Sequence, residues 1–324
     1  MARIGMGCAV GLFACGCELF GGGSTPVGGA VYTIEPDVSE CEPGELSEGT
    51  RAALLQYVNR IREMHALAPV EYAYQDDPLA QASALWVVAN ARTSHTPQPG
   101  THCHSDLAVE GAVRSLLFMA AGNQVGVVGD PARYIDAWMI DADTPSLGHR
   151  RFLLDPFLGT VAFGLVDGEP RVEFQFRPVV GAALRVVEDT LPSLVLSAPS
   201  FVAYPYGDYP TNVFPPDAVL SFSAVPSRFG YGPNQNVDYS MVRISVRDAE
   251  SELPVSSIAS LNSAEGIPNL VSWRVEGLAA DTQYDVRLEN VLVFGAPRSY
   301  EYQFRLTAPI RPEPPPAPPD AGGW

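Results

Sequence analysis

The sequence predicts a chain of two domains, an α+β layered unit followed by an all-β sandwich. Three observations carry this expectation. The 324 residues suffice for two separate cores. Apolar residues recur at helical spacing as far as Gly148 and at alternate positions beyond it. From Ala183 to Ala308, short β-branched and aromatic runs recur between turn-forming residues with no helical period.

The N-terminal segment concerns targeting. Arg3 is followed by an apolar run, Ile4 to Phe13, that is too short to span a bilayer but suits the core of a signal peptide. It ends Leu12-Phe13-Ala14-Cys15, and a small residue before cysteine is what lipoprotein signal peptidase cuts. Cys15 is therefore expected to carry a lipid, with Cys17 as the alternative. This reading exports the chain to a bacterial cell envelope, with the membrane as a partner through the lipid anchor. An ordinary cleaved signal would export it as well. The expected organisation is a signal at 1–17, a Gly-, Pro- and Ser-rich linker at 18–46, the α+β unit at 47–180, the sandwich at 183–309 and a Pro-rich tail at 310–324.

Within the first unit, Thr50 is expected to cap a helix carrying Leu54, Tyr57, Ile61 and Met64 on one face. Asp77-Pro78 opens a second helix, lined by Leu79, Ala82, Trp86 and Ala89. A polar loop from Ser94 to Ser105 precedes a third helix expected over 106–121. Asp130-Pro131 starts a fourth, with Tyr134, Ala137 and Trp138 facing inward. Thr160 to Val166, the turn Asp167-Gly168, and the alternation of Val172, Phe174 and Phe176 predict a closing hairpin. In the second unit, strands are expected at Ser193–Leu196, Val219–Phe222, Met241–Val246, Val271–Val275, Tyr284–Leu288 and Tyr300–Leu306. Leu278 to Tyr284 resembles the tyrosine corner of immunoglobulin-like and fibronectin type III domains.

Composition removes several function classes. A net charge of -17 opposes nucleic-acid binding. All 20 basic residues are arginine, which rules out Schiff-base lysines, lysine phosphate loops and lysine-based serine hydrolases. No Gly-x-Ser-x-Gly elbow is present. Cys8, Cys15 and Cys17 belong to the signal region, so in an oxidising compartment Cys41 and Cys103 are expected to form a disulfide.

Further residues occur in a telling order. They are Asn59-Arg60 with Leu67-Ala68-Pro69-Val70, Asp77 with Leu79, His95, Trp138 with Asp141, Leu147-Gly148-His149-Arg150-Arg151, and Gly164 within Val161-Ala162-Phe163-Gly164. From Leu54 to about Phe176 the chain thereby resembles the CAP superfamily of cysteine-rich secretory, antigen 5 and pathogenesis-related proteins, in the form of a bacterial lipoprotein. The resemblance implies an α–β–α sandwich. It also implies a cavity of two histidines and two acids that can hold zinc or another divalent metal. His95 and His149 fall at the histidine positions, and Asp141 falls where the family has glutamate. The other glutamate has no counterpart in Arg114-Ser115-Leu116-Leu117, which leaves Glu110, one turn earlier, as the candidate.

Read without the family, His95, His102 and His104 crowd one polar loop. Two imidazoles and a carboxylate would make an open zinc site, while idle surface histidines are the plainer reading. Arg150 and Arg151 are expected to pair with Asp141, Asp143 or Asp155, and Trp86 and Trp138 to be core. His65, at a helix C-terminus, suits the dipole and is given no function. The favoured function is a non-catalytic module that binds a small apolar ligand or an envelope protein. The alternatives are a metal-assisted hydrolase using His95, His149 and Asp141, and a structural surface protein.

Overall fold

The computed structural model describes residues 31–122, 130, 132–142, 144–186, 198–263 and 265–310. Cys15 and Cys17, Pro131, Asp143, the strand expected at Ser193–Leu196 and most of the Pro-rich tail lie outside these residues.

The first unit begins with a short antiparallel pair, β1 (Tyr32–Ile34) and β2 (Glu45–Leu46). Helix α1 (Glu48–Met64) is capped by Ser47, whose Oγ accepts the Thr50 N–H at 3.2 Å, so the cap precedes the expected Thr50. After β3 (Glu71–Tyr72), α2 (Asp77–Asn90) starts with Asp77 and Pro78 in its first turn. There follow α3 (Asp106–Val113), β4 (Ser115–Ala121), α4 (Ala132–Ile140), α5 (Gly148–Leu153), β5 (Thr160–Gly168) and β6 (Val179–Arg185). The sheet order is β3-β5-β6-β4. Cys41 and Cys103 are joined by a disulfide that ties the entry segment to the loop before α3.

The sheet is the middle of three layers. Phe163, Leu165 and Ala182 pack with Leu54 and Trp138 of α1 and α4, whereas Val166 and Ala183 pack with Ala84 and Leu85 of α2. The second contact is close because glycine permits it. A Cβ added at Gly164 would lie 2.1 Å from the Ala80 carbonyl, and one at Gly181 2.6 Å from that of Ala84.

Three features of this unit differ from those expected. The third helix ends at Val113, and Ser115 to Ala121 form a strand paired with β6 from Ser115↔Arg185 to Ala121↔Val179. A continuous apolar run suits a buried strand as well as a helix, and pairing along its whole length decides the matter. The hairpin is longer than expected, because Asp167 and Gly168 remain in the ladder opposite Val180 and Val179. Val172 to Phe176 therefore belong to the connection and not to a strand. Finally, β6 carries the first unit to Arg185, beyond the boundary read at 180.

The second unit is all β apart from one turn of helix. Strands β7 (Phe201–Tyr204), β9 (Leu220–Ala224), β12 (Val255–Asn262) and β13 (Asn269–Val275) form a sheet in the order β12-β13-β9-β7. The facing sheet has the order β10-β14-β15-β8, from β8 (Gly207–Pro210), β10 (Val237–Asp238), β14 (Gln283–Val293) and β15 (Ala296–Thr307). β11 (Arg243–Arg247) also pairs with β14. Helix α6 (Tyr231–Asn234) lies between β9 and β10. Phe222 and Trp273 of one sheet share a core with Val286 and Phe304 of the other. The Tyr284 hydroxyl accepts the Ala279 N–H at 2.8 Å, which forms the expected corner.

Candidate functional site

Asp141 closes α4 in a left-handed conformation, φ 52°, and its side chain is fully buried. One carboxylate oxygen lies 2.8 Å from His149 Nδ1, and the other accepts the backbone N–H of Arg150 at 3.3 Å. A carboxylate can only accept, so Nδ1 of His149 carries a proton and donates it to Asp141. His95 is held in the same way, with its Nδ1 2.8 Å from the carbonyl of Ala112. Two imidazoles from distant segments thus have their Nδ1 atoms tied to acceptors, which leaves the Nε2 edges to their surroundings.

Both line one hollow of about 270 Å³. Its apolar wall is Val113, Leu116, Phe152 and Val186; Thr144 and Ser146 add hydroxyl groups. Ser115 is 4% exposed, and its hydroxyl has no hydrogen-bond partner among the described residues. The hydroxyl is buried beneath the wall and is an unmet hydrogen-bonding group there.

Arg114 and Gly148 also line it, and one further residue comes from the β-rich second unit. Glu265 lies in the β12–β13 connection and lines the hollow with the two histidines. Its neighbour Gly266 has φ +63° and presses on α5: an added Cβ would stand 2.5 Å from the Arg151 carbonyl. Arg151 holds the same loop by donating to the Ile267 carbonyl at 2.6 Å, the Ser263 hydroxyl at 2.8 Å and the Ser263 carbonyl at 3.0 Å. Glu265 Oε2 sits over Gly148, 3.0 Å from where a Cβ would be, and 3.6 Å from Arg151 Nη1.

The other sequence candidates lie elsewhere. Glu110 is exposed on α3, because the buried face of that helix is Ala108, Gly111 and Ala112. Asp141 is committed to His149 and to the Arg150 backbone, so it orients an imidazole and does not face the hollow as a ligand. His102 and His104 do not line the hollow, and the backbone of His102 is fixed by Asn90. Among the described residues no three His, Cys, Asp or Glu side chains are grouped to hold a metal ion. The zinc set expected from His95, His149 and Asp141 is therefore not assembled.

Arg150 does not use its guanidinium on an acid either. It is buried and donates to the carbonyls of Met139, Ile140 and Val219 and to the Ser221 hydroxyl. His65 differs from the cation expected at a helix end. Burial lowers its pKa to about 3, and its Nε2 lies 2.9 Å from the Tyr209 hydroxyl of the second domain. Trp86 and Trp138 are core residues, 1% and 3% exposed.

Residues 55–176 match the model of the cysteine-rich secretory protein family, CAP. No curated protein matches the chain.

Proposed function

We propose that this chain, whose residues 55–176 form a CAP domain, is an exported, lipid-anchored binding module that takes a small ligand into the hollow shared by His95 and His149. One observation carries the binding reading. Each imidazole has its Nδ1 engaged, by Ala112 or by Asp141, so two oriented Nε2 atoms remain for a guest. The hydroxyl-bearing Thr144 and Ser146 and the apolar wall suit a guest with both polar and apolar parts. Export is supported by the signal-like run ending at Cys15 and by the Cys41–Cys103 disulfide, a bond that persists in oxidising compartments. Metal-assisted hydrolysis has less support, because an open catalytic site keeps three protein ligands and none of the described clusters supplies them.

A ligand-observed NMR screen of small amphiphiles tests the binding reading. Compounds bound by the unmodified chain and lost in the double variant His95→Ala/His149→Ala are expected. Equal binding by both proteins, or no binding by either, would overturn it. The anchor is tested separately by mass spectrometry of the envelope-purified chain. A lipid on Cys15 is expected, with loss of membrane fractionation in Cys15→Ser.

A further inference from the structure

We infer that the second domain sets the specificity of the hollow, and that Glu265 makes it a site for a small organic cation with an apolar body. The inference rests on the binding reading above and adds the chemistry of the guest.

Consider what the walls offer. His95 and His149 line the hollow with their Nδ1 atoms held by Ala112 and Asp141. Glu265 adds a carboxylate, and Thr144 and Ser146 add hydroxyl oxygens. Arg114, the basic side chain on the wall apart from the histidines, is already engaged with other groups of the protein. The polar part of the hollow thus offers the Glu265 carboxylate and two hydroxyl oxygens as acceptors, and an ammonium group, with donors only, is their complement. The apolar part, formed by Val113, Leu116, Phe152 and Val186, suits an alkyl body.

The position of Glu265 is built into the fold. Gly266 permits the turn that lays the loop on α5, and Arg151, 3% exposed, grips it on both sides of the glutamate, at Ser263 and Ile267. The Glu265 carboxylate stands 3.6 Å from Arg151 Nη1, within ion-pair reach but too far for a hydrogen bond. Arg151 satisfies its donors on the loop itself, so Glu265 keeps acceptor capacity for a guest. Its place above Gly148 puts the charge beside the residue that precedes His149.

The test uses the full chain and three six-carbon probes measured by calorimetry: hexylammonium, hexanol and hexanoate. Hexylammonium is expected to bind about tenfold or more tightly than hexanol, as a charge-assisted hydrogen bond would give. Hexanoate is expected to bind most weakly. Glu265→Gln should bring the ammonium to the level of the alcohol. Equal affinities for ammonium and alcohol in the unmodified chain, a preference for hexanoate, or a preference for ammonium that survives in Glu265→Gln would overturn the inference. Should the alcohol still bind and be lost in His149→Ala, the hollow stands as a binding site without its cation preference. Should none of the three bind, both readings fall.

Discussion

The hydroxyl of Tyr231, in the second domain, donates to the buried carboxylate of Asp155 in the first. Burial raises the Asp155 pKa to about 6, against the opposing effect of that hydrogen bond. Asp136 is also raised to about 6 by burial, although Tyr57 at 2.5 Å and Asn212 at 3.0 Å donate to it. Both aspartates hold protons in the folded chain that they lose when it unfolds. Their contribution is complete below the ordinary carboxylate pKa and is lost as pH rises through about 6. His65, lowered to about 3, works in the other direction: its contribution is present above the ordinary histidine pKa and fades as pH falls. Between pH 4 and 6, Asp155→Asn or Asp136→Asn should each make the slope of stability against pH more positive by about 1.4 kcal/mol per pH unit. Urea titrations at several pH values check this. Slopes parallel to that of the unmodified chain would refute it.

Arg150 connects the domains more directly. Its guanidinium stands 3.7 Å from the ring centre of Tyr204 while it donates to three carbonyls and the Ser221 hydroxyl. Arg150→Met leaves those acceptors buried and unpaired, and a loss of about 3–5 kcal/mol is expected. Arg150→Lys should recover little, since one ammonium cannot reproduce the planar fork. Chemical denaturation of both variants tests the assignment.

Two glycines should separate folding from binding. Gly164→Ala forces a Cβ to 2.1 Å from a backbone carbonyl that cannot move without α2, so a marked fall in Tm is expected. Gly148→Ala meets the flexible end of Glu265 at 3.0 Å, so the fold should survive while the carboxylate is displaced. Near-unchanged Tm with loss of the preference for hexylammonium over hexanol is the outcome to look for.

Asp141→Asn tests the orientation of His149. The amide can donate as well as accept, so Nδ1 of His149 is no longer obliged to carry the proton. A shift toward the other tautomer in nitrogen-15 spectra is expected, with roughly tenfold weaker binding of hexylammonium. An unchanged tautomer would show that Asp141 does not set it.

Much of the scaffold was legible because the local signals were strong. Asp77-Pro78 marked a helix start, Tyr284 marked a corner, and two cysteines beyond the N-terminal segment marked a disulfide. The strand at 115–121 was hidden because an apolar run reads alike as buried helix or buried strand. The Asp167-Gly168 pair looked like a turn, yet β6 pairs through it. Within the site, His95 and His149 were found through the spacing of the family motifs. Glu265 was not, since it lies 116 residues after His149 in another domain and nothing local announces its destination. The turn at Gly266-Ile267-Pro268 shows that a loop is there. Only the packing of Gly266 against Arg151 shows where it goes.

The most direct test is a long-range proton–nitrogen NMR titration of the full chain with hexylammonium, following the ring nitrogens of His95 and His149. Both Nε2 resonances should move together, with one affinity, and in Glu265→Gln the same shared response should need about tenfold more hexylammonium. Movement of one ring alone, or of neither, would contradict a single hollow shared by the two imidazoles and the second-domain carboxylate.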